Sequence, residues 1–367
     1  MQKYLKSIGL FLVSVSCFSQ NRIPIDTMHW DIKAKSYVIE NYKGKKAIYL
    51  QAGSMTLKDS VFLNGTIEFD IYLKETPAFP GVYFRAGGFN GEQWYMRPHL
   101  SGKPDANQAA PIINGISPWQ LCFGPKYSFP YHYKYDNWTH VKLVVKDDKA
   151  QVFLDYSEEP NLSWKLFLPA KGGEIILRGG NLEAFHIADI KINRKEAKLI
   201  NYKPVERKPI EGLVPEWELS DMFERKLLDN PLNIPDVIKK RSWGRKIQVE
   251  EGTAANISRQ QRLFNGEPGE TVFAKIVIHS EVDQMKLFHF GYSDDVVAIL
   301  NGTPIYRGTN KWRSRDYRYL GTIGLFDAIY LNLKKGKNEL LMAVSENFGG
   351  WLITGKFDTT DGISIAK

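Results

Sequence analysis

Short runs in which apolar and polar positions alternate recur along the whole chain. GTIEFDIYL (65–73), GVYFRAG (81–87), WTHVKLVVK (138–146), EIILRG (174–179) and FHIADIKIN (185–193) are representative. Each holds four to nine residues rich in β-branched and aromatic types, bounded by Gly, Pro, Asn or Asp. A period of two places alternate side chains on opposite faces of an extended strand. Many such strands separated by turn signals predict antiparallel β-sandwiches. No long stretch carries a helical period; SDMFERKLLD (220–229) is the best candidate for a few turns.

The pattern breaks once. NRKEAKLINYKPVERKPIEGLVPE (193–216) is charged, proline-bearing and poor in aromatics, as a linker is. A second β-rich block follows, with TVFAKIVIHS (271–280), MKLFHFGYS (285–293), DVVAILNGTPIYRG (295–308) and GGWLITGKF (349–357). Inside it, Asn301-Gly302 between two strand-like runs is a type I′ hairpin signal. The predicted class is therefore all-β: two antiparallel β-sandwich (jelly-roll) domains joined by a charged linker. The boundaries are a first sandwich over 25–195, the linker over 196–214 and a second sandwich over 215–365. KPDANQAAPIINGISPW (103–119) is expected to be a long loop, and WQLCF (119–123) an apolar strand.

The first twenty residues depart from this pattern. Lys3 and Lys6 precede a short apolar core, Ile8 to Val15, and small residues follow. This reads as a secretory signal peptide over 1–19, too short to span a bilayer. SVSC is also an imperfect lipobox, so lipid anchoring to the cell envelope through Cys17 is the alternative to release. Either route predicts a secreted or periplasmic protein with no transmembrane helix. Cys122 would then be its one thiol, which excludes a disulfide framework and a Cys-type zinc site.

The 367 residues carry a formal net charge of +8, and 13% of them are aromatic. That balance suits an acidic partner, but export argues against nucleic acid. None of the seven histidines makes a metal-ligand spacing, and no P-loop, dinucleotide or nucleophile-elbow motif occurs.

Four places hold candidate chemistry. In IEFDIYLKE, Glu68 and Asp70 share one face of a strand, opposite Ile67, Phe69 and Ile71. Two carboxylates about 5 Å apart on one face are what a retaining glycosidase requires. In GVYFRAGGFNGEQWYMRPHL, Arg85, Gln93, Tyr95 and Arg97 alternate with apolar neighbours, and Trp94, His99 and Trp119 lie nearby in sequence. Aromatic rings that stack on sugars, with Arg and Gln aimed at hydroxyl or acidic groups, make a glycan cleft. In YRGTNKWRSRDYRYLG, Trp312, Arg313 and Arg315 combine aromatic and cationic character suited to an anionic polysaccharide. Asp294 and Asp295 in GYSDDV are weak candidates for a structural Ca²⁺ site; no other cofactor is expected.

NGTIEFDIYL, GVYFRA, DNWTHVKLVVKDDKAQVFLD and FHIADIKI together resemble framework strands of the concanavalin A-like lectin/glucanase superfamily, of laminin-G type, over roughly 30–195. VVAILNGTPIY and LNLKKGKNELLMAVSENFGGW resemble the galactose-binding-like β-sandwich over about 215–360. The first resemblance implies an acid strand of the form Glu-x-Asp-x-(x)-Glu in its laminarinase- and agarase-type members. Glu68 and Asp70 match two positions, Tyr72 stands at the third, and Glu75 is out of phase. GVYFR (81–85) is also similar to a strand of the 3-keto-disaccharide hydrolase-like proteins, but WYMRPH replaces their acidic next strand. The expected function is recognition of a polysaccharide or oligosaccharide through the N-terminal cleft. A glycoside hydrolase or related enzyme, and a non-enzymatic cell-envelope interaction protein, remain the alternatives.

Overall fold

The computed structural model describes residues 22–180, 183–195, 197–263, 269–311 and 318–366. The leader, Cys17 and the candidates Trp312, Arg313 and Arg315 lie outside these residues. Nearly all regular structure is antiparallel β-sheet.

The N-terminal strands are β1 (Trp30–Lys33), β2 (Ser36–Tyr42), β3 (Lys45–Gln51), β4 (Ser54–Leu57), β5 (Gly65–Leu73), β6 (Gly81–Gly87) and β7 (Asn90–Met96). They continue with β8 (Asn107–Ile112), β9 (Asn137–Lys146), β10 (Lys149–Leu154), β11 (Leu162–Lys165), β12 (Glu174–Arg178) and β13 (Ala184–Asn193). One sheet has the order β1-β4-β12-β6-β7-β8 and the other β11-β10-β9-β5-β13-β3-β2. The inward residues of both sheets form one core, with Ile67, Phe69 and Ile71 of β5 facing Val82, Phe84, Trp94 and Met96 of β6 and β7. The alternation read from the sequence thus sets which face of β5, β6 and β7 points into the core.

The C-terminal strands are β14 (Glu216–Leu219), β15 (Arg245–Glu250), β16 (Ala254–Asn256), β17 (Thr271–Ser280), β18 (Gln284–Ser293) and β19 (Asp295–Leu300). After them come β20 (Thr303–Thr309), β21 (Asp327–Leu333), β22 (Gly336–Ser345), β23 (Leu352–Phe357) and β24 (Ile363–Ile365). They pair in the order β20-β19-β22-β17-β14-β15-β16-β23-β18-β21, and β24 adds to β17. Alternate residues of β17, β19 and β22 face those of β18, β21 and β23 across a second core. The β19–β20 hairpin turns on Asn301 and Gly302, both at positive φ, as the type I′ signal requires.

Residues 197–213 hold no strand or helix. The two cores are largely separate, but Ala254, Ile323 and Leu352 pack into the first and Ile116 into the second. Gln120 adds a polar tie: its Oε1 accepts the Gly350 N–H at 2.6 Å, and its Nε2 donates to Ser293 Oγ at 3.2 Å.

Three local expectations are corrected. Residues 103–119 contain β8, an edge strand whose small Ala109 and Ala110 fit the core and whose Pro111 is tolerated at an edge. WQLCF is a turn held by Leu121 N–H to Pro118 O, although Cys122 is buried as expected. SDMFERKLLD makes only a 3₁₀ turn over Arg225–Leu228, and the one α-helix among the described residues, α1 (Ile234–Lys239), follows it.

Candidate functional site

The outer face of the β12-β6-β7 sheet meets the loop after β22, and a cavity of about 420 Å³ opens between them. Period-two alternation delivers its floor. Trp94 and Met96 point into the core, so Gln93 and Tyr95 point out, with Tyr83 directly opposite Gln93 on β6. Phe79, Trp119 and Phe348 add apolar walls, and the Trp119 and Phe348 rings lie 6.4 Å apart, edge to face. Arg178 stands over the Tyr83 ring at 5.1 Å and donates to its hydroxyl.

The floor is tied down by a buried polar network. Arg97 is ion-paired with Asp105, and its Nη2 donates to Tyr95 OH at 3.0 Å and Gln108 Oε1 at 2.6 Å. Gln108 in turn donates to Trp119 O at 2.9 Å and Cys122 O at 2.6 Å, so the floor and the Trp119 turn form one unit. Gln93 donates to Ser117 Oγ at 2.7 Å. These bonds hold the floor in place, although Arg97 Nε is buried without a hydrogen-bond partner.

The far wall comes from Glu346, Asn347 and Phe348. Glu346 is buried, and burial, with Asp294 nearby, pushes its carboxyl up to about 9. At neutral pH it is therefore protonated and adds no negative charge to the cavity. Among the described residues it is the one carboxylic acid lining this space.

The candidates from sequence divide accordingly. Gln93, Tyr95, Arg97 and Trp119 line the cavity. Trp94 does not, because it belongs to the core. His99 lies behind Phe79, 5.5 Å between ring centres, and burial together with Arg97 lowers its pKa. Arg85 is turned away by a register shift in β6 and donates to Leu63 O, Asn64 Oδ1 and Asp147 O.

Glu68 and Asp70 lie on the outer face of the other sheet, with the whole sandwich core between them and the cavity. That face is not open to solvent there, since Glu68 is 9% and Asp70 2% exposed. Asp70 Oδ1 is 2.6 Å from His140 Nδ1, Lys45 ion-pairs with both Asp70 and Asp189, and the Tyr156 ring stacks on His140. Asp70 is thus bound into an ion-pair network.

Asp294 and Asp295 have partners as well. Asp294 Oδ2 accepts the N–H groups of Asn347 and Phe348, and Asp295 pairs with Lys311 at 3.0 Å and Arg225 at 3.5 Å. Among the described residues no group of three or more His, Cys, Asp or Glu is arranged to hold a metal ion, and no helix is long and apolar enough to cross a membrane.

Sequence reasoning did not find Tyr83, Arg178 or the 346–348 wall. Tyr83 was findable, since it alternates with the apolar Val82 and Phe84 and pairs with Gln93. The wall was not, because only the tertiary fold brings it to Trp119.

No protein-family model matches the chain, and no curated protein matches it. Solved structures do. A carbohydrate-binding module from Bacillus subtilis is 13% identical, covering 45% of this chain and 94% of its own, with a TM-score of 0.36. A β-glucanase from Bacillus licheniformis is 10% identical, covering 48% and 96%, with a TM-score of 0.35. A laminarinase from a Flavobacterium species is 12% identical, covering 47% and 96%, with a TM-score of 0.34. This chain is similar to each over slightly less than half its length.

Proposed function

We propose that the protein is an exported carbohydrate-binding protein that takes a saccharide into the cavity between the β12-β6-β7 face and the 346–349 loop. The observation that carries this reading is the composition of that cavity. Five aromatic side chains, Phe79, Tyr83, Tyr95, Trp119 and Phe348, surround a few polar groups, among them Arg178, Gln93 and Glu346. Aromatic faces bury the apolar C–H surface of a sugar ring, and the polar groups fix its hydroxyls. Export rests on the leader at 1–19, and release or lipid anchoring through Cys17 are its two forms. The chain is read as two sandwich units whose junction makes the site.

Binding is favoured over hydrolysis by the placement of the acids. Two-carboxylate hydrolysis needs a pair flanking one bond, about 5 to 10 Å apart. Among the described residues Glu346 has no second acid beside it in the cavity lining, and Glu68 and Asp70 are on the opposite face.

The test is calorimetric titration of the mature chain with neutral, uronic and sulfated oligosaccharides, with new reducing ends followed in the same samples. Saturable binding without new reducing ends, weakened about tenfold by Tyr83→Ala or Trp119→Ala, is expected; burying roughly 60 Å² of sugar surface per ring corresponds to about 1.5 kcal/mol. Release of reducing ends that persists on purification would replace binding with hydrolysis. Binding unchanged in both variants would place the site elsewhere.

A further inference from the structure

A second cavity, of about 490 Å³, lies where the 197–213 segment crosses between the two sandwiches. It backs onto the first. Trp119 and Leu320 line the saccharide cavity, while Phe123, Tyr319 and Ile323 line this one. The shared partition is held by Ile323 N–H to Gln120 O at 2.9 Å.

Its chemistry differs from that of the first. Among the described residues four cations, Lys126, Arg207, Lys208 and Arg318, line it against one carboxylate, Glu206. Lys126 is paired with Glu251 at 2.8 Å, which removes one positive charge from the balance. Arg207 has uncharged partners: it donates to the carbonyls of Leu121 at 2.8 Å and Phe123, and to Thr253 Oγ1 at 3.3 Å. Its guanidinium lies over the Phe123 ring at 4.4 Å. These contacts orient Arg207 without neutralising it, so its charge still acts on the cavity. Tyr319 extends the aromatic wall, 5.6 Å from Phe123 between ring centres.

A cavity of this size with an aromatic wall and a surplus of cations has room for a sugar ring and attraction for its acidic substituent. We propose that it is a second saccharide subsite, selective for a sugar residue bearing a carboxylate or a sulfate ester. Arg207 and the exposed Lys208 supply the charge, Arg318 borders it, and Phe123 and Tyr319 supply the surface for the ring. This deepens the preceding reading and rests on it, because it names the charge class of the polysaccharide the protein holds.

The experiment measures Kd of the mature chain for two pairs of ligands and a neutral reference. A sulfated oligosaccharide is compared with its desulfated form, a uronic oligosaccharide with its carboxyl-reduced form, and a neutral oligosaccharide serves as reference. Each is titrated at low and high salt, with the wild type, with Lys208→Ala/Arg318→Ala and with Tyr83→Ala/Trp119→Ala. Both altered pairs are surface or cavity side chains, and circular dichroism checks their folding.

We expect the charged member of at least one pair to bind about tenfold more tightly at low salt. Lys208→Ala/Arg318→Ala should erase that advantage and leave neutral binding unchanged. An advantage for the sulfated form alone assigns the subsite to sulfate esters, and one for the uronic form alone to carboxylates. Equal affinity within both pairs, or an advantage that survives Lys208→Ala/Arg318→Ala, overturns the subsite while neutral binding sensitive to Tyr83→Ala/Trp119→Ala leaves the first cavity standing. Absence of binding to all five ligands overturns both.

Discussion

The Oδ2 atom of Asp294 accepts the backbone N–H of Phe348 at 2.6 Å and that of Asn347 at 2.9 Å. One buried carboxylate just before β19 therefore shapes the loop that walls the cavity beside Trp119. Asp294→Ala removes the acceptor for two N–H groups, at a cost of about 2 kcal/mol or more. It should lower stability by that order and raise Kd for saccharide about tenfold. Asp294→Asn keeps an acceptor oxygen and should fall between. Chemical denaturation and titration of the two variants check this; an unchanged Kd in a destabilised Asp294→Ala would separate the loop from binding.

Glu346 makes stability fall as pH rises. Burial first, and Asp294 second, raise its carboxyl from 4.5 to about 9 in the folded chain. Between these values the folded state holds a proton that the unfolded state has released. Stability then decreases with pH, by up to about 1.4 kcal/mol per unit, and levels off above about 9. Asp294, raised mainly by its burial, acts in the same direction above its ordinary value. Glu346→Gln should flatten the slope and be more stable than the wild type at pH 8. Urea melts from pH 5 to pH 9 measure it, and a slope unaltered by the substitution would contradict the assignment.

The alternation in the sequence carried most of the fold, and part of the site, for a physical reason. Ile67, Phe69 and Ile71 face the core and Glu68 and Asp70 face away because strand period is two, and the same period puts Gln93 and Tyr95 on the cavity side. It also separates Trp94 from them, a consequence that grouping by sequence proximity missed. Arg85 was misplaced because a register shift in β6 breaks the period, and nothing in GVYFRAG signals that shift. Phe348 and Glu346 were not legible at all. Their approach to Trp119 depends on how the two cores pack through Gln120 and Ile116, which no local pattern encodes.

Arg85 should prove structural. Its Nε and Nη2 groups supply donors to Leu63 O at 2.7 Å, Asn64 Oδ1 at 3.0 Å and Asp147 O at 2.7 Å, which join the turn before β5 to the β9–β10 turn. Arg85→Ala leaves these acceptors without a charged donor, and a loss of about 2–3 kcal/mol is expected. Saccharide affinity of the folded fraction should not change. A thermal melt combined with a titration distinguishes the outcomes; weaker binding at unaltered stability would return Arg85 to the site.

The acids of β5 give the opposite signature to catalytic groups. Burial pushes the Asp70 carboxyl up, but hydrogen bonds from His140 and Lys45 outweigh it and hold the group below its ordinary 3.8. Its contribution is therefore complete above that value and is lost as pH falls below it through the folded-state pKa. Asp70→Asn should lower stability at neutral pH, by about 3 kcal/mol where a buried partner is left uncompensated, and should flatten the acid limb of the stability curve below pH 4. Glu68→Gln removes only a 3.6 Å approach to His140 Nε2 and should be nearly neutral. Neither change should alter saccharide binding, because the sandwich core separates this face from the cavity. Titrations of both variants against the best ligand, with denaturation curves from pH 3 to pH 7, check each part. Binding or turnover abolished by Glu68→Gln in a fully folded protein would make β5 a functional strand and move the site to the opposite sheet.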